Sequence, residues 1–130
     1  MSNLIFFTDA HARGTNSVNR SGNYFGDWLI KFEETLQIAQ KQGVEAILDG
    51  GDMLDVAEPS YRILDDILDL IEEYKIPFYC LYGNHALRFR STENSRYTGM
   101  AHMIKRCEYV HHLSEFKSED IELKAYEYSH

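Results

Sequence analysis

Three short apolar runs, Leu4–Phe7, Val44–Leu48 and Ile76–Leu81, each stop at a cluster of Asp, Gly, Asn or His. Between the first two, Leu29, Phe32, Leu36 and Ala39 recur at helical spacing. Between the second and third, Ile63, Ile67, Leu70, Ile71 and Tyr74 do the same. Short apolar runs alternating with amphipathic helices commit a chain to a parallel sheet, because parallel strands need a crossover long enough to hold a helix. Gly43 reads as the stop of the first helix and Glu58-Pro59-Ser60 as the start of the second. Asp65, Asp66, Asp69, Glu72 and Glu73 then form a solvated helix face. Pro77 sits near a strand start, where a missing N–H is tolerated. A polar loop, Tyr82–Tyr97, leads to a short helix near Met100–Cys107, a fourth strand at Tyr109–His112 and a fifth at Ile121–Tyr128. The order β-α-β-α-β-α-β-β predicts one α/β domain over residues 1–130, a mainly parallel sheet flanked by helices.

Composition narrows the class. With 130 residues, 44 % of them hydrophobic, and two prolines, the chain can bury one core and is not a disordered tract. No apolar run approaches the ~20 residues of a membrane span. Leu4–Phe7 has no basic flank and is too short for a signal peptide. Two cysteines, Cys80 and Cys107, make no disulfide framework and suit a reducing cytoplasm. A net charge of −8 argues at first sight against a nucleic-acid partner.

In an open parallel sheet, ligands gather beyond the carboxyl ends of the strands. The polar clusters there are Asp9-Ala10-His11, Asp49-Gly50-Gly51-Asp52 and Gly83-Asn84-His85. They offer carboxylate, imidazole and amide-oxygen donors and no thiolate, a set suited to Mn²⁺, Fe²⁺ or Zn²⁺. Asp9 and His11 lie two apart, so both can face one side of an extended segment. Asp52 has two oxygens with which to bridge two ions, Asn84 adds a neutral oxygen, and the neighbouring glycines permit tight turns. Two ions together would clamp a phosphate and activate water for in-line attack. Each cluster alone reads as an ordinary turn; all three in order, each at a strand end, do not.

Asp9-Ala10-His11, Gly51-Asp52-Met53-Leu54-Asp55 and Gly83-Asn84-His85-Ala86 resemble the Asp-x-His, Gly-Asp-x-x-Asp and Gly-Asn-His-Asp/Glu motifs of the calcineurin-like metallophosphoesterase superfamily. The Gly-Gly-Asp-Met-Leu-Asp form and the helix before it are more similar to the DNA double-strand-break repair nuclease branch (SbcD-like). The resemblance implies the first half of that superfamily's αββα sandwich. It places Asp9 and His11 on a first ion, Asp52 between two, and Asn84 on the second. His85 becomes the general acid or a transition-state stabiliser, and Asp55 a support for the ligand loops.

Two departures stand out. The family's carboxylate after the histidine is Ala86 here, leaving Asp49 or Asp55 as candidate substitutes. The family's later histidine ligand and its Gly-His-x-His motif have no counterpart, so this chain is expected to be a truncated form of the domain, with its activity alone left open. A split gene product, or a site completed by another chain, fits equally. His130 is a candidate replacement ligand set against an ordinary terminus, and His111-His112, being adjacent, could supply one ligand between them. Tyr24, Phe25 and Trp28 read as anchors ahead of the first helix, with base stacking as the alternative.

The loops beside the motifs carry positive charge. Ala12–Gly26 holds Arg13 and Arg20 without an acid, and Tyr82–Gly99 holds Arg88, Arg90 and Arg96 against Glu93. Together they total +4, leaving −12 on the rest of the chain. Arginine forks match phosphate oxygens, which makes these five residues candidate phosphate or DNA contacts.

The expected activity is therefore metal-dependent phosphodiester hydrolysis by a DNA nuclease subunit, exonuclease or endonuclease. A phosphatase or small-substrate phosphodiesterase, and a catalytically incomplete metal- or DNA-binding regulator, are the alternatives. The resemblance implies two divalent ions, Mn²⁺ first with Fe²⁺, Zn²⁺ or Mg²⁺ as alternatives. It also implies DNA, a homodimer and an ATPase subunit as partners, with no membrane.

Overall fold

The computed structural model describes residues 3–8, 10–12, 24–51, 53–54, 60–81 and 99–118. In it the first helix, α1 (Tyr24–Gln42), ends because Gly43 takes φ +62°. Gly43 N–H then donates to Gln40 O (3.3 Å) and Val44 N–H to Ala39 O (3.1 Å), the paired bonds of a Schellman cap. Helix α2 (Tyr61–Tyr74) starts on Ser60, whose Oγ accepts the Ile63 N–H at 3.5 Å. It stops on Lys75, left-handed at φ 56°, whose N–H donates to Ile71 O at 2.9 Å. A third helix, α3 (Gly99–Arg106), carries Lys105 and Arg106 in its last turn, where cations suit the helix dipole.

Strands β1 (Leu4–Phe7), β2 (Ala46–Asp49), β3 (Phe78–Cys80) and β4 (Val110–His112) pair in the order β1-β2-β3-β4, every pair parallel. The expected α/β architecture is thus present. Pro77 enters the ladder through its carbonyl alone, accepting the Ile47 N–H at 2.9 Å. The proposed fifth strand, Ile121–Tyr128, lies outside the described residues. Several element ends differ by a residue or two from the sequence expectation, and two of these shifts have a clear cause. Val44 is spent on the α1 cap, so β2 begins at Ala46, and α1 begins early enough to include Tyr24, Phe25 and Gly26.

Alternation along the strands separates two faces. Ile5, Phe7, Ile47, Phe78, Cys80 and Val110 point into one core with the apolar stripes of all three helices. Phe32 meets Phe78 edge-on (6.1 Å, 80°), and Phe7 packs tilted against the same ring (5.9 Å, 44°). Tyr74 Oη donates to Glu33 Oε2 (2.9 Å), tying α2 to α1. On the opposite face Ala46 and Leu48 are buried with Leu113, Phe116, Leu4, Tyr79 and Leu81. Leu113 belongs to a 3-10 turn, Leu113–Glu115, which folds back on that face. Phe6, on edge strand β1, is 61 % exposed. Among the described residues no helix is long and apolar enough to cross a membrane.

Candidate metal centre at the strand ends

Register aligns the ends of the strands. Phe7 pairs with Asp49, Asp49 with Cys80 and Cys80 with His112, so one row across the sheet marks the carboxyl ends of all four strands. Neighbouring strands lie about 4.8 Å apart. Segments leaving adjacent strands from one row therefore start within a few ångströms of each other.

Hydrogen bonds continue this alignment past the strands. Gly50 N–H donates to Phe7 O (2.8 Å), and Leu81 N–H to Asp49 O (3.1 Å). Further out, Ala12 N–H donates to Met53 O (2.6 Å), and Ala12 and Leu54 form a parallel bridge. Ala12, Met53 and Leu54 are fully buried. The backbone after β1 and the backbone after β2 are thus fastened on both sides of Asp9, His11 and Asp52. At Gly50 the side chains of Phe6 and Thr8 press on the chain after β2: a Cβ there would lie 2.9 Å from Phe6 Cζ and 3.1 Å from Thr8 Oγ1. Gly51 has φ 123°, a conformation that favours glycine.

Two members of the expected set can be described directly. His11 sits at φ 51°, an unusual backbone for a residue with a side chain, and such strain collects at binding sites. Asp49 is fully buried, and its Oδ1 accepts the Gly51 N–H at 3.0 Å. It braces the Gly50-Gly51 turn after β2. Asp9, Asp52, Asp55, Asn84 and His85 lie outside the described residues, as do Arg13, Arg20, Arg88, Arg90, Arg96 and His130. Among the described residues no three His, Cys, Asp or Glu side chains gather as a metal site. The family's metal requirement nonetheless fits what is present. The donor types are right, the backbone around them is fastened, and glycine provides the close approach at Gly50.

Sequence reasoning missed how the first motif is held. Trp28 Nε1–H donates to Ala10 O (2.9 Å), and Tyr24 Oη–H to His11 O (3.2 Å). The available signal was two aromatics with polar tips, four apart, following the motif. Trp28 stacks between Phe25 (6.1 Å, 18°) and Phe32 (5.0 Å, 22°), which favours the anchoring role over base stacking. His111 and His112 point to opposite faces. His111 stacks on Tyr79 (5.0 Å, 30°), while His112 Nδ1 accepts the Ser114 N–H (3.2 Å) and caps the 3-10 turn. A cleft of about 370 Å³ opens beside the first motif, lined by Thr8, Ala10, Tyr24, Asp27, Trp28 and Lys31 among others.

The sequence pattern of the calcineurin-like phosphoesterases matches residues 2–125. A Double-strand break repair protein mre-11 from Caenorhabditis elegans is 37 % identical over 90 residues, 68 % of this chain and 11 % of that protein. The chain therefore spans about a tenth of that relative's length.

Proposed function

The chain belongs to the calcineurin-like phosphoesterase family, and on that premise we propose that it is a metal-dependent phosphodiesterase of the DNA-repair nuclease type. The observation that carries the proposal is the single row of strand ends. From it the chain leaves β1, β2 and β3 at one end of the sheet, and the segments after β1 and β2 are fastened together beyond it. Similarity to a double-strand break repair protein favours DNA over a small ester as substrate.

Asp9, His11, Asp52 and Asn84 would hold two divalent ions, Mn²⁺ first among the candidates. When bound, such ions neutralise phosphate charge and lower the pKa of water. The protein's own part is positional and acid–base. Asp49 fixes the Gly51 turn ahead of Asp52, and Asp55 supports the same segment. His85 gives its proton to the departing sugar oxygen. Arg13, Arg20, Arg88, Arg90 and Arg96 grip neighbouring phosphates along the backbone. We extend the proposal to a homodimer that works with an ATPase subunit. A cytoplasmic setting agrees with Cys80 and Cys107, both buried thiols outside any disulfide. Burial pushes the Cys107 thiol above its ordinary range, so it resists oxidation.

Linear duplex DNA, a generic phosphodiester and a phosphomonoester, each incubated with the chain and Mn²⁺, test the substrate class. Cleavage of duplex DNA is expected. Turnover of the monoester alone would replace the nuclease with a phosphatase. DNA retention without cleavage would mark a metal- or DNA-binding module in place of a nuclease.

A further inference from the structure

We propose that Trp28 and Tyr24 are positioning residues for the first metal-binding motif, setting its affinity for a divalent cation through the motif's backbone. The inference rests on reading Asp9-Ala10-His11 as a ligand segment. Its geometric basis is independent of that reading.

Two successive carbonyls of the motif, those of Ala10 and His11, accept hydrogen bonds from two side chains of one helix. The donors, Trp28 Nε1–H and Tyr24 Oη–H, come from residues four apart and so from one face of α1. The Trp28 donor is firmly held. Phe25 and Phe32, both buried, flank the Trp28 ring, and Phe32 contacts Phe78 of β3. The indole N–H is therefore fixed relative to the sheet from which the motif emerges.

The motif needs such a hold. His11 occupies left-handed backbone at φ 51°, which a residue with a Cβ leaves readily for extended conformations. Within three residues, three bonds oppose that escape: Trp28 to Ala10 O, Tyr24 to His11 O, and Ala12 N–H to Met53 O. Both bonds fall on the motif's backbone, so they fix the path of the chain through Ala10 and His11. Orientation of ligands by outer partners is a general determinant of metal affinity.

Trp28→Phe keeps a ring between Phe25 and Phe32 and deletes the N–H; Tyr24→Phe deletes the hydroxyl. In the metal-free chain, exchange of the Ala12 amide is expected to accelerate about three- to tenfold in Trp28→Phe, the worth of one hydrogen bond. Mn²⁺ affinity should fall by a similar factor in each variant, and further in the double variant, with the thermal midpoint held within a few degrees. A lower midpoint with unchanged Ala12 exchange and Mn²⁺ affinity would overturn the proposal, leaving the aromatics as plain packing. A wild-type chain that fails to bind Mn²⁺ would overturn the metal reading and the claim about affinity. The Ala12 exchange rates would still decide whether the two donors hold the motif.

Discussion

Replacing His85 by Ala is expected to lower Mn²⁺-dependent phosphodiester hydrolysis by about 10²- to 10⁴-fold, the usual contribution of a positioned general acid. Mn²⁺ affinity should stay within about twofold, because oxygen and imidazole donors at Asp9, His11, Asp52 and Asn84 suffice for binding. The sign of the pH effect follows from the role. A general acid works only while protonated, so wild-type turnover falls on the alkaline side, and the variant loses that limb. A substrate whose leaving group needs no proton, such as a nitrophenolate ester, should lose far less rate. Equal losses on both substrates would give His85 a role in binding or transition-state charge.

The second large effect is on stability. Phe78 is fully buried in β3, pairs with Ile47 and Val110, and meets the rings of Phe7 and Phe32. Phe78→Ala removes a ring from the junction of sheet and helices and is expected to cost about 3–5 kcal/mol. Against the ~5–15 kcal/mol of a typical domain, that is a large share. Urea unfolding should show a lower midpoint at unchanged slope. Phe78→Leu, which retains most of the apolar volume, should cost clearly less.

These two residues mark how the sequence yields to inspection. The helices are legible because their signals are local: Gly43 carries the positive φ that ends α1, and Ser60 caps α2 as its neighbours suggest. The strand-end motifs are legible because aspartate, histidine and glycine at such places have few structural uses in combination. What the residues do not announce depends on long-range geometry. Val44 looks like strand, yet its N–H completes the cap of α1. Trp28 looks like core, and its ring is; only the tertiary structure shows its N–H on the Ala10 carbonyl. The left-handed backbone of His11 is likewise imposed by bonds to α1 and to Met53, and nothing in Asp9-Ala10-His11 requires it. The −8 net charge sums acidic helix faces with arginine-bearing loops beside the motifs, so it describes neither surface by itself.

The central claim is that the strand-end motifs bind divalent metal, with Asp52 shared between the ligand sets. Calorimetric titration of Mn²⁺ into metal-free wild-type and Asp52→Ala chains tests it most directly. Saturable binding by the wild type is expected, with affinity lost in the variant by more than the roughly 10–100-fold that outer-sphere changes cost. Binding of equal strength in the two chains, or none in the wild type, would contradict it.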